Sequence, residues 1–181
     1  MTVWIALLRG INVGGNKKIR MADLKTLLES LGLRGVQTLL QSGNVVFESD
    51  QIEHDQLVSQ IEAGIEQTFG FHSDVILRTR EQLRAIVEAH PFSEDQLAEP
   101  AKIAVVFLRT APDIEAIESV RKAYTGPEEF HLNGTELYVY YPEGMGRSKL
   151  GDALSDKKLH NTGTARNWNT VRKLLALADK F

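Results

Sequence analysis

Apolar residues follow two rhythms along this chain. In one they run without a break, as in VWIALL at Val3–Leu8, which predicts a strand buried on both faces. In the other they recur at helical spacing. Leu24, Leu27, Leu28 and Leu31 fall at i, i+3, i+4 and i+7, with Gly32 placed to end that helix. VQTLLQSGNVVFES predicts two short strands around a tight QSGN connection. Leu57, Ile61, Ile65 and Phe69 mark a second helix closed by Gly70, and SDVILRT follows as a strand. A helix over about 81–89 leads into HPFSEDQLAEP, an acidic stretch with two prolines and no periodic apolar face. KIAVVFLRT then predicts a strand, and Ile114, Ile117 and Val120 one face of a helix. EEFHLNGTELYVYYP reads as a hairpin turning at Asn133-Gly134. Two helices, over roughly 148–159 and 165–180, are expected to finish the chain.

The first 79 residues therefore give the order β-α-β-β-α-β, that of the split βαβ or ferredoxin-like arrangement. The later residues echo it. ALLRG and VFLRT both end a first strand in Leu-Arg, at Arg9 and Arg109, and each half places a glycine turn before a hydrophobic strand. The expected fold is α+β, with two ferredoxin-like (βαββαβ-type) subunits in tandem, the second ending in helices. Residues 1–79 form the first unit, 80–100 a connecting helix and linker, and 101–181 the second.

Composition narrows the setting. The 181 residues are 43% hydrophobic and 25% charged, ordinary for a globular protein. No apolar run approaches the roughly 18 residues of a membrane span. Cysteine is absent, which removes thiolate metal sites and cysteine nucleophiles and fits a cytoplasmic setting. The net charge of −3 is unevenly spread: residues 1–20 carry Arg9, Lys17, Lys18 and Arg20 and no acid. Residues 144–173 carry seven basic residues against Asp152 and Asp156. The middle is strongly acidic, so charge argues against generic nucleic-acid binding but allows a local basic site.

Three polar segments stand out. RGINVGGNKKIRM joins the first strand to the first helix, with Gly10, Gly14 and Gly15 permitting close backbone approach. Loops so placed cradle phosphates, although neither the P-loop nor the G-x-G-x-x-G spacing is present. Read alone, its glycines also serve a plain turn. QSGN, Gln41 to Asn44, is explained by turn chemistry alone. The third segment has two pieces, PEGMGRSKLGDAL and TGTARNWNTVRKL. In the first, Ser148 can cap the following helix, with Lys149 beside it. In the second, Thr164 is an expected N-cap before Ala165, which places Arg166 at a helix N-terminus. There it opposes the macrodipole and, with free first-turn amides, would welcome an anion. On a helical wheel Trp168, Val171, Leu175 and Ala178 form the apolar stripe. Asn167 falls on that face as a structural clasp.

Taken together, ALLRGINVGG, QSGNVVF, GRSKL and TARNWNTV, in this order, resemble the bacterial family catalogued as domain of unknown function 1697. The resemblance covers essentially the whole chain. It implies an α+β arrangement of two ferredoxin-like subunits, and it brings no established activity and hence no catalytic residues. What it carries over is motif positions: Arg9, Gly10, Asn12, Gly14, Gly15, Ser42, Gly43, Asn44, Ser148, Lys149, Leu150, and Arg166 through Thr170. This sequence has His90 where the family often has Asn before Pro-Phe.

The five histidines show no H-x-x-x-H or H-E-x-x-H spacing, and no G-x-S-x-G elbow is present. No metal and no cofactor are expected. The motif residues are donors and cations, chemistry suited to holding an anion. The favoured reading is a site for a phosphate-bearing small molecule between the N-terminal loop and the C-terminal helix start. It would use Arg9, Asn12, Gly14, Gly15, Lys17, Ser42, Asn44, Ser148, Lys149, Arg166, Asn169 and Thr170. Two alternatives stand beside it: the same residues as a structural clamp in an interaction protein, or an enzyme on a phosphorylated metabolite with a base not yet identified. Nucleic acid ranks below these as partner, and no membrane is expected.

Overall fold

The computed structural model describes residues 1–181. The chain runs β1 (Thr2–Leu8), α1 (Met21–Ser30), β2 (Arg34–Leu39), β3 (Asn44–Ser49), α2 (His54–Phe69), β4 (Val75–Thr79), α3 (Arg80–Glu88) and α4 (Glu94–Leu97). It continues β5 (Ile103–Leu108), α5 (Ile114–Ala123), β6 (Glu129–Asn133), β7 (Glu136–Tyr140), α6 (Leu150–Ala153), α7 (Asp156–Leu159), β8 (Gly163–Asn167) and α8 (Trp168–Ala178). The result is mixed α+β, with two four-stranded antiparallel sheets ordered β2-β3-β1-β4 and β6-β7-β5-β8. Two compact units divide the chain: Met1–Ala85 with Lys173–Phe181, and Ile86–Arg172. No helix is long and apolar enough to cross a membrane.

In the first unit, α1 and α2 bury Leu24, Leu28, Leu57, Ile61 and Ile65 against Trp4, Ala6, Leu8 and Phe47 of the sheet. The apolar spacing that predicts these helices is the face they bury, and α2 ends at Gly70 in the left-handed conformation. The unbroken apolar run Val3–Leu8 is buried throughout. In the second unit, Ile117, Leu150 and Leu159 from α5, α6 and α7 join Leu108, Phe130, Leu137 and Val139.

The two first strands leave their sheets in the same way. Leu8 N–H donates to Gly43 O at 2.8 Å and Arg9 N–H to Asp74 O at 2.9 Å. Leu108 N–H donates to Thr135 O and Arg109 N–H to Thr162 O, both at 2.8 Å. The Leu-Arg echo in the sequence thus marks equivalent strand ends.

Two expected helices are corrected. The one over 148–159 is two short helices, because Ser155 takes an extended backbone (φ −62°, ψ 153°) between them. The one expected from 165 begins three residues later. Gly163–Asn167 ahead of it is a strand paired with β5 in the register Val105↔Arg166 and Phe107↔Thr164. The second unit therefore carries its own fourth strand, β8, ahead of α8.

Candidate functional site

Asn12 organises the loop after β1. It takes φ 55°, a left-handed conformation asparagine tolerates. Its Oδ1 accepts Ile19 N–H at 2.9 Å, while its Nδ2 donates to Ile19 O at 2.9 Å and Gln41 O at 2.6 Å. One side chain thus closes the loop on itself and ties it to the β2–β3 connection. Gly14 and Gly15 at the tip have φ of 59° and 77° and are exposed. Lys17 reaches away from the tip, donating Nζ to His72 O at 2.7 Å. Arg9 lies 3.6 Å from Asp74 Oδ2, a half-exposed pair.

The β2–β3 turn is internally satisfied. Asn44 is fully buried and donates to Leu39 O at 2.8 Å and Ser42 Oγ at 2.9 Å. Ser42 is exposed and, through that bond, is part of the turn.

Beside the loop lies a cleft of about 590 Å³. Asn12, Gly15, Lys18 and Ile19 of the loop line it, with Arg20 and Asp23 at the start of α1 and with Gln41 and Phe69. Arg20 holds Asp23 through two bonds of 2.8 and 3.2 Å. No side chain caps the first turn of α1, so its leading amides add positive potential to this end of the helix. Lys18 is exposed.

In the second unit the polar segments turn inward. Ser148 Oγ accepts Leu150 N–H at 3.1 Å, as a helix-start residue should, and Lys149 is exposed. Along β8 the two-residue period buries Thr164 and Arg166 and exposes Ala165. Arg166 is therefore on a strand, not at the helix N-terminus expected for it. Arg166 is 7% exposed, and its guanidinium donates to Thr164 Oγ1 at 2.7 Å and Ala165 O at 2.9 Å. Burial pushes it down to about 10, which still leaves it charged at neutral pH. The residue ahead of α8 is Asn167, whose Oδ1 accepts Asn169 N–H at 2.9 Å. Its Nδ2 donates to Pro100 O and Ala101 O at 3.4 and 3.3 Å, so the clasp expected there exists on a strand end. Asn169 is exposed and Thr170 buried.

The family model described as protein of unknown function (DUF1697) matches residues 1–138. The chain belongs to that family. The matched span contains the whole loop and cleft and ends ahead of Ser148 and Arg166. No curated protein matches this DUF1697 chain. Among solved structures it is similar to the conserved bacterial protein SP0830 from Streptococcus pneumoniae, at 24% identity and a TM-score of 0.78, over 99% of each chain. At that identity the likeness speaks for the fold.

Of the residues singled out by sequence, the structure brings Asn12 and Gly15 to the cleft and leaves Lys17 bonded at its side. Lys18, Ile19, Arg20, Asp23, Gln41 and Phe69 line it beside them; the sequence sets Lys18 in the candidate loop and Gln41 in the turn, and gives no lining role to Arg20, Asp23 or Phe69. The signal for two of them was present in KKIR, where Lys17 and Lys18 looked interchangeable. Phe69 counted only as the end of a helix face.

Proposed function

We propose that this protein is a binding module for a small phosphate-bearing ligand, held in the first unit by the glycine loop and the start of α1. The observation that carries this reading is the cleft itself: Lys18, Arg20, the backbone at Gly15 and the uncapped first turn of α1 surround one concavity. Phosphate oxygens suit backbone amides and cations together. Phe69 supplies an apolar wall for the rest of the ligand, and Asn12 pre-organises the loop so that binding costs little ordering.

We take each unit to be ferredoxin-like, supported by the β-α-β-β-α-β order and by a first strand lying between the third and fourth. In that frame the cleft sits at the exit of the central β1.

Some motif residues serve their own unit rather than a ligand in this reading. Asn12, Asn44, Arg166 and Asn167 all spend their polar atoms on backbone or neighbouring side chains of their own unit. We assign those four to building the loop, the turn and the strand end, and the anion to the exposed cations.

A melting-temperature screen against phosphate, pyrophosphate, nucleotides and sugar phosphates tests the proposal. A ligand at 100 times its dissociation constant should stabilise wild type by about 2.7 kcal/mol. Lys18→Ala, an exposed change, should keep the unliganded melting temperature and lose most of the shift. No shift with any phosphate, or a shift unchanged in Lys18→Ala, counts against the cleft.

A further inference from the structure

We propose that Glu62, His72 and Asp74 form a site for one divalent transition-metal ion, Zn²⁺ foremost. One donor atom from each lies within 4.8 Å of the other two, and His72 Nε2 is already 3.0 Å from Asp74 Oδ1. Ligands held about 2.1 Å from a tetrahedral ion are about 3.4 Å apart, so small rotations close this set around a cation. One imidazole with two carboxylates suits Zn²⁺ or Mn²⁺; Mg²⁺ and Ca²⁺ prefer oxygen throughout. Three protein ligands would leave a fourth position to water.

The three side chains are held from different parts of the unit. Glu62 projects from the middle of α2, and its Oε1 accepts Val75 N–H at 2.9 Å. His72 and Asp74 flank buried Ser73, whose hydroxyl donates to Arg9 O at 2.8 Å and fixes the segment. Lys17 Nζ anchors the His72 carbonyl. His72 and Asp74 side chains are 49% and 27% exposed, so an ion from solvent can reach them.

Two cations stand nearby. Arg9 approaches Asp74 through Oδ2 at 3.6 Å while His72 meets Oδ1, and Lys17 Nζ donates to the His72 carbonyl. Asp74 can thus face an ion with one oxygen and Arg9 with the other, as outer-shell partners of metal carboxylates do.

The second unit closes its equivalent strand exit with different side chains. There a neutral residue takes part in the tie: Asn161 donates to Thr110 O at 2.7 Å and accepts Thr110 N–H at 3.3 Å, beside the Arg109 N–H bond to Thr162 O. The site stands on other side chains than the ligand cleft, and does not depend on that reading.

The test is calorimetric titration of the chelator-stripped, full-length protein with ZnCl₂, MnCl₂ and MgCl₂, alongside His72→Ala and Glu62→Gln. The proposal expects one Zn²⁺ per chain, bound more tightly than Mn²⁺ or Mg²⁺, and at least about tenfold weaker in each variant. His72 is exposed, so His72→Ala should keep the metal-free melting temperature and remain interpretable if Glu62→Gln does not fold. No saturable Zn²⁺ uptake, or uptake left intact by His72→Ala, overturns it; the latter would place the ion on another exposed histidine, and the triad would be a hydrogen-bonded surface cluster only.

Discussion

At Gly43 the backbone takes φ 81°, and an added Cβ would lie 2.7 Å from Ile11 Cδ1 and 2.8 Å from Leu8 Cβ. Both objections to a side chain, conformational and steric, fall on a residue whose carbonyl also receives Leu8 N–H. Gly43→Ala should therefore lower stability by about 2 kcal/mol or more in urea denaturation. A loss below about 0.5 kcal/mol would show that Leu8 and Ile11 move aside freely. Neighbouring polar residues divide by the same bookkeeping of space and bonds. Asn44, with no exposed surface, exists for the turn. Asn12 exists for the loop. Lys18 and Lys149 are exposed, and such side chains are where recognition chemistry can reside. Residue type alone does not separate these groups, because asparagine serves a ligand and a left-handed turn equally well.

The elements most readily read from the sequence are those whose buried face is apolar. Val3–Leu8 needs no more than its unbroken run, and α1 and α2 no more than their spacing and closing glycines. β8 was hidden because its inward positions, Thr164 and Arg166, are polar, so the two-residue period carries no hydrophobic signal. Thr164 before Ala165 then imitates a helix cap, while the working cap is Asn167. The cleft was hidden for another reason: Gln41 and Phe69 join Lys18 only through the fold. Between elements, Tyr138 of β7 donates its hydroxyl to Ile86 O of α3 at 2.6 Å. Burial, with a smaller contribution from Glu136, pushes the phenol up to about 12, against about 10 in an unfolded chain. Between these values the unfolded state has lost the proton and the native state keeps it. The stabilising contribution is therefore complete below pH 10 and lost as pH rises toward 12. Wild type should lose melting temperature over that window more steeply than Tyr138→Phe. The variant should be about 1 kcal/mol less stable at pH 7 for want of the bond. Arg166, depressed to about 10 by burial, acts in the opposite sense over the same range but is present in both proteins and cancels. Parallel curves would mean that Tyr138 titrates as an exposed phenol does.

For the whole molecule, two units with the same sheet order differ in what they turn outward. The first keeps its loop, an uncapped helix start and exposed cations around one cleft. The second consumes Arg166, Asn167 and Ser148 in its own strand end and helix starts. We propose that anion recognition belongs to the first of these. Amide chemical shifts recorded during titration with pyrophosphate test it most directly. The account predicts saturable shifts at Gly14, Gly15, Lys18, Met21 and Ala22, with Thr164–Asn169 unmoved. Saturable shifts centred on Thr164–Asn169 with the loop silent, or no saturable shifts anywhere, would contradict it.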